Sequence, residues 1–414
     1  MSAADDESTG VLSKSYQRIH RIGRRMFSPL RSFLKDSRAI GIVLIACTIL
    51  SLFLSNTAFF QQGYTGFWLQ HFTFPVAGLQ LPHDWLHWVN DGLMVVFFFL
   101  VGMEIKRELI IGELATLRKS MLPVLAALGG MLLPAFIFFL FNGGTPFHHG
   151  WGIPMATDIA FSLGIISLLG NRVPLQLRIF LTALAIIDDL GAIVVIAIFY
   201  ATDLHLAYLL TALGFMAIPL LLNVLKVERL LFYFLPGIVA WYCLLNSGIH
   251  PTIAGVLLAL CIPLSKIPTL EHFLYDPVNF VIMPLFALAN TAIIFPTEIG
   301  HIVHSPIAWG VLLGLVVGKP VGIFLFSFLS VKLRLAALPS NTYWKQLLGT
   351  GMIAGIGFTM SIFIATLAYP EEELQVIAKI AIIAASVIAG TIGYLYLYIL
   401  IKKKDMAVPM DGSA

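Results

Sequence analysis

The sequence predicts an all-α polytopic membrane protein, and three observations carry that reading. Of 414 residues, 59% are hydrophobic and 11% charged, with a mean hydropathy of +0.92, whereas about a quarter of a soluble domain is charged. Apolar runs of about 20 residues, each long enough to cross a bilayer, recur along nearly the whole chain. Lysine and arginine gather in alternate connections between those runs, as the cytoplasmic side requires. Soluble catalysis finds no support: there is no nucleotide loop, nucleophile elbow or metal-ligand cluster. No resident cofactor and no nucleic-acid partner are expected, and the lipid bilayer is the first partner. Cys47, Cys243 and Cys261 lie inside apolar runs without metal-ligand spacing and read as small core residues.

Residues 1–38 form a basic segment without the apolar core and cleavage site of a signal peptide. Between Ser15 and Arg38, Tyr16, Ile19, Ile22, Met26 and Leu30 recur at helical spacing among Arg18, Arg21, Arg24, Arg25, Arg31 and Lys35. That pattern reads either as an amphipathic helix on an anionic membrane surface or as a positive tail that fixes topology. One transmembrane domain, 39–401, follows. Its twelve expected spans are Ile40–Leu54, Leu86–Met103, Met121–Phe141, Ile153–Leu169, Leu175–Tyr200, Leu206–Leu222, Leu230–Leu245, Ile249–Leu264, Val278–Phe295, Ile307–Leu329, Leu347–Leu367 and Ile377–Leu400. Residues 402–414 make a cytoplasmic tail. The positive connections place both termini in the cytoplasm, in agreement with an even number of spans. The external connection 56–85 alternates aromatic and β-branched residues with polar ones around Gly63, Gly66, Pro75 and Gly78, which predicts a small β-hairpin.

Two spans are interrupted. One carries Pro154, Thr157, Asp158, Ser162 and Gly164; the other carries Gly349, Gly351, Gly355, Gly357, Thr359 and Ser361. Such a pair in two halves of a chain points to discontinuous helices meeting at mid-membrane. Close packing of small residues is the competing explanation for the glycines, but packing does not call for the carboxylate of Asp158.

Charge deep inside the spans is sparse: Asp158, the adjacent Asp188 and Asp189 in ALAIIDDLGA, and Lys319 in GLVVGKPVGIF, with Lys379 set a little way into the last span. A charge at the centre of a spanning helix costs about 2.5–3.5 kcal/mol even on the lenient insertion scale. Neighbouring residues on a helix diverge by about 100°, so one structural partner cannot serve both members of the Asp pair. Lys319 is either a counter-ion for one Asp or a proton carrier. Asp188, Asp189 and the Thr157 hydroxyl are hard oxygen donors suited to a small cation such as sodium, bound transiently. Two neighbouring carboxylates in low dielectric cannot both stay charged cheaply, so protons and a cation compete for one site. Opened to each side in turn, that site exchanges them.

The stretches NDGLMVVFFFLVGMEIKREL, ATDIAFSLG, ALAIIDDLGAIVVIAIFY, MPLFALANT, GKPVGI and GIGFTMSIFIATLA together resemble the NhaA-type sodium/proton antiporters. The resemblance implies a bacterial inner-membrane protein of twelve spans with inverted-topology repeats and two discontinuous crossing helices. It implies that Asp189 is the principal ion and proton carrier and that Asp188 is essential and pairs with Lys319. Asp158 then compensates helix-end charge at the crossing, and Thr157 lines the site. It further implies an electrogenic exchange of two protons for one sodium or lithium ion, shutdown at acid pH, and a homodimer joined through the external hairpin. Glu104, Arg107, Glu108, Glu271 and His272 match positions tied to pH control, although each also reads as a loop charge or helix-end salt bridge. Tyr275 and Asp276 stand where the family often has a second His. His250 matches another pH-linked position and reads equally as a helix-start polar residue. Among other functions, a sodium-coupled carrier of a small organic solute is the main alternative; a channel is opposed by Lys319. An intramembrane aspartyl protease would need carboxyls converging from separate helices and a GxGD stretch, which the chain lacks.

Overall fold

The computed structural model describes residues 37–72, 81–201, 204–296, 298–340 and 342–407. The basic segment up to residue 36, residues 73–80 of the external connection and residues 408–414 of the tail lie outside them. Among the described residues the chain is helical, without a strand.

The helices are α1 (Ser37–Asn56), α2 (Gln61–Trp68), α3 (Met94–Ile110), α4 (Leu117–Asn142), α5 (Ile159–Leu168), α6 (Leu175–Phe199), α7 (Leu206–Val224), α8 (Leu231–Leu245) and α9 (Thr252–Cys261). They continue as α10 (Ile267–Pro277), α11 (Met283–Asn290), α12 (Ile299–His304), α13 (Pro306–Leu313), α14 (Lys319–Lys332), α15 (Trp344–Ala354), α16 (Phe358–Ala368) and α17 (Glu372–Ala407). Three π-helical stretches, Trp88–Leu93, Val278–Ile282 and Gly314–Gly318, run directly into α3, α11 and α14. Among the described residues, seven continuous segments are long and apolar enough to cross a membrane. Two further pairs pass that test together but bend at a short break: the 3-10 stretch Pro146–Met155 with α5, by 43°, and α15 with α16, by 48°. The other three expected spans correspond to α3, α8 and α9, of 17, 15 and 10 residues. Pro251 and Pro263 bracket α9 and keep it short.

The apolar faces divide between core and hydrocarbon. On α1, Ile42, Ile45, Ile49 and Phe53 are exposed, whereas Leu44, Thr48, Ser51 and Ser55 are buried. The buried hydroxyls bind backbone of the neighbouring α11 region, Ser51 Oγ to Leu288 O at 2.8 Å and Ser55 Oγ to Ile293 O at 2.9 Å. Helix α7 exposes Leu206, Leu210, Leu213, Leu220 and Leu221. Such an outward face is stable only against lipid, and a helix is suited to that position because it satisfies its own backbone. Inside, α4 packs on α14 and α6, α3 on α9, and α15 on α17. The α4–α14 crossing is so close that a Cβ on Gly129 would strike the Gly322 carbonyl, and one on Gly322 the Gly129 carbonyl.

Two expectations change. The β-hairpin over 56–85 is replaced, over Gln61–Trp68, by helix α2. Tyr64 and Trp68, one turn apart, turn inward there, and Tyr64 Oη donates toward Ser51 Oγ at 2.9 Å. The tip, 73–80, lies outside the described residues; at its base Phe72 N donates to His83 O at 2.8 Å. Glu271 and His272 stand on α10, which continues through a π stretch into α11, and not in a loop before the ninth span.

Candidate ion-exchange site

The two broken pairs cross, and each closes the other's open ends. The Asp158 carboxylate sits at both helix starts. Its Oδ1 accepts from Phe161 N, in the first turn of α5, at 3.0 Å. Its Oδ2 accepts from Thr359 N, in the first turn of α16, at 3.0 Å and also from the Thr359 hydroxyl. One buried anion thus serves two positive helix ends. The carbonyl ends are served reciprocally: Ser361 Oγ donates to Ile153 O at 2.8 Å and Ser162 Oγ to Ile353 O at 3.2 Å. Asp158 N donates to Ile356 O at 2.7 Å, joining the two breaks directly.

Helix α6 delivers the Asp pair to this crossing. It begins after Pro174 and runs 25 residues without an internal proline, so Asp188 and Asp189 project to different sides. Both are 1% exposed. Asp188 Oδ2 lies 2.8 Å from Lys319 Nζ and accepts from Thr157 Oγ1 at 2.7 Å. The Thr157 hydroxyl has Ala354 O as a second acceptor at 3.0 Å. Lys319, 0% exposed, also donates to Met155 O at the end of the first broken half. The π stretch Gly314–Gly318 and the Gly129–Gly322 approach bring its ammonium to that point.

Asp189 has a different environment. It lines a cavity of about 170 Å3 with Asp158 and Thr359, which runs past Glu104 to Arg107, Tyr275 and Asn279. Tyr275 is exposed, so the cavity meets the surface at the end of the bundle where α3 finishes. Asp188 Oδ1 and Asp189 Oδ1 make no hydrogen bond. Uncompensated carboxylate oxygens in a buried site are costly unless a proton or a cation meets them. These two oxygens and Thr157 Oγ1 are hard donors by type. Among the described residues, no cluster of three or more His, Cys, Asp and Glu has the geometry of a metal centre.

The residues matched to pH control fall in two places. At the cavity mouth Arg107 pairs with Glu271 and lies 3.3 Å from Glu108, whose other oxygen accepts from Glu113 N at 3.0 Å. Glu104 is half-buried on the cavity wall, and His272 is exposed. His250, two residues before α9, lies away from these groups: its Nε2 lies 3.2 Å from Asp91 Oδ1 and its Nδ1 2.7 Å from Thr252 Oγ1. Sequence reasoning assigned no site role to Thr359, Ser162, Ser361 or Lys106. Hydroxyls at a break are a readable signal for the first three. Lys106 gave none: it holds Leu260 O at 2.8 Å and Ile262 O at 2.5 Å, closing the end of α9.

Residues 31–397 match the family described as Na+/H+ antiporter 1. The Na(+)/H(+) antiporter NhaA 2 of Flavobacterium johnsoniae is 54% identical over 372 residues, covering 88% of this chain and 91% of its own. The Na(+)/H(+) antiporters NhaA of Dechloromonas aromatica and Cytophaga hutchinsonii are 50% and 48% identical, over 88% and 90% of this chain and 94% and 96% of theirs. On the extent of these matches, the chain belongs to the Na+/H+ antiporter family of the NhaA type.

Proposed function

We propose that this protein is an electrogenic antiporter that expels sodium or lithium in exchange for protons by alternating access. One observation carries the reading. Asp189 faces a cavity that reaches the surface, while Asp188 beside it is already neutralised by Lys319 at 2.8 Å. A cation arriving along the cavity meets Asp189 first and draws on Asp188 Oδ1 and Thr157 Oγ1. Its charge then competes with Lys319 for Asp188 and with protons for the pair. The crossing of broken helices is the element that rocks, because its hydrogen bonds run between the two halves. The relatives' names support sodium and protons as the exchanged ions. The cavity, about 170 Å3, is smaller than the ~300–1,000 Å3 pockets that hold organic ligands, which weighs against a solute carrier.

The remaining particulars rest on the resemblance. Twelve spans in inverted repeats sit in a bacterial inner membrane with both termini cytoplasmic, which makes the cavity mouth at Arg107 and Tyr275 its cytoplasmic door. Two protons enter per sodium expelled, so one net charge moves inward and 100 mV, negative inside, contributes about 2.3 kcal/mol. The Arg107–Glu271–Glu108 group and Glu104 set the pH response at that door, and the connection 56–85 joins two copies. In everted vesicles, addition of sodium or lithium collapses a preformed pH gradient and potassium does not. Absence of any response between about pH 6 and 9, with inserted protein, refutes the proposal.

A further inference from the structure

The least self-supporting part of the crossing is the first half of its first broken pair. Pro146–Met155 is a ten-residue 3-10 run that contains Pro146, Gly150, Gly152 and Pro154. Such runs rarely exceed three or four residues, because their hydrogen bonds are poorly aligned. Here the prolines donate none, and the glycines leave the backbone free to choose other conformations. Yet this run sets the geometry of the ion site. It ends in Met155 O, which accepts from Lys319, and passes through Ala156 to Thr157, which donates to Asp188 at 2.7 Å.

Two phenols hold the far end of the run. Tyr200 closes α6, the helix that carries the Asp pair; its Oη donates to His149 O at 2.8 Å and accepts from Gly152 N at 3.3 Å. Tyr369 closes α16, in the other broken pair, and is 2% exposed; its Oη donates to Phe147 O at 2.9 Å. The glycines admit these hydroxyls: a Cβ on Gly150 would strike Tyr369 Oη, and one on Gly152 would stand 2.7 Å from Tyr200 Oη. Trp151, between them, packs edge-on against Phe199 with ring centres 5.0 Å apart. The same two helices grip the other end of the stretch, α6 through Asp188 on Thr157 and α16 through Thr359 on Asp158. We infer that Tyr200 and Tyr369 are positioning residues of the ion site, holding Pro146–Met155 in the register that presents Met155 O to Lys319 and the Thr157 hydroxyl to Asp188. Without either phenol the run leaves that register for part of the time. The apparent affinity for the cation falls by the fraction of time lost, whereas the maximal rate, reached with the site filled, changes little.

The inference rests on the sodium/proton exchange proposed above, and the test separates the two. Initial rates of exchange in everted vesicles are measured against sodium concentration at one pH for the wild type, Tyr200→Phe, Tyr369→Phe and Tyr233→Phe, with thermal unfolding of each purified protein alongside. Tyr233 is the control: it is fully buried on α8 and its Oη donates to Val227 O at 2.8 Å, so its variant also loses a phenolic hydrogen bond, but one remote from the crossing. Tyr200→Phe and Tyr369→Phe are expected to raise the half-saturating sodium concentration about three- to tenfold, with the maximal rate kept within about twofold. Tyr233→Phe leaves both unchanged. Should Tyr369→Phe fail to fold, Tyr200→Phe decides alone. Half-saturation unmoved in folded Tyr200→Phe and Tyr369→Phe, or raised equally by Tyr233→Phe, overturns the inference while exchange by the wild type stands. A wild type that exchanges no sodium overturns the proposed function and this inference with it.

Discussion

Lys319 and Asp188 form a pair with no access to water, both side chains being 0% exposed. Replacing Lys319 by Met leaves the Asp188 carboxylate with the Thr157 hydroxyl as its only donor among the described residues and strips a donor from Met155 O. Breaking a buried pair in this way costs about 3–5 kcal/mol, and the orphaned carbonyl adds about 1 kcal/mol. Asp188→Leu strands the ammonium and costs a similar amount. The double variant Lys319→Met/Asp188→Leu strands neither, because Thr157 turns to Ala354 O, 3.0 Å away; an apolar pair in place of a buried ion pair is often near neutral. The two single changes are therefore strongly non-additive, with a coupling of at least about 3 kcal/mol, although all three variants lose transport. Unfolding in mixed micelles by titration with sodium dodecyl sulfate, followed by tryptophan fluorescence, measures the cycle. Additivity within about 0.5 kcal/mol refutes the view that Lys319 and Asp188 neutralise each other.

Three other outcomes follow from the geometry. Asp158→Asn keeps one acceptor for Phe161 N but turns an N–H donor toward Thr359 N, so it lowers stability by about 1–3 kcal/mol; unchanged unfolding rejects the double cap. Gly322→Ala places a methyl against the Gly129 carbonyl, costs about 1–3 kcal/mol and lowers the transport rate by displacing Lys319, whereas Gly214→Ala, with open space around it, leaves both unchanged. Arg107→Gln leaves Glu271, 11% exposed and with Oε1 already unpartnered, without its cation; the pH profile of exchange moves, and Glu271→Gln added to it moves the profile back toward wild type. A profile identical in all three proteins removes this group from pH control.

Much of this fold was readable because a bilayer imposes one rule, continuous apolar helices, and α1, α4, α6, α7 and α17 obey it. Asp158, Asp188, Asp189 and Lys319 stood out because charge is rare where water is absent. What escaped the sequence obeys other physics. Tyr64 and Trp68 read as half of an alternating strand pattern, since a single helical turn and a short strand place aromatics almost equally. The π stretches have no residue signature of their own, so the register that aims Lys319 at Asp188 was invisible. Glu271 and His272 looked like loop residues because polar residues end a hydropathy run before they end a helix. Thr359 and Ser361 acquire their meaning only across the crossing, from Asp158 and Ile153, 201 and 208 positions away. Which Asp faces the cavity is likewise a matter of helix rotation, not of composition.

The central claim is that protons and sodium compete for Asp189 and its neighbour, and the most direct test is the equilibrium binding of radiolabelled sodium to purified protein across pH. If one sodium displaces two protons, the apparent dissociation constant rises on acidification and approaches a hundredfold per pH unit on the acid side. Asp189→Asn abolishes that binding while the protein stays folded. Sodium binding independent of pH, or undiminished in Asp189→Asn, contradicts the account.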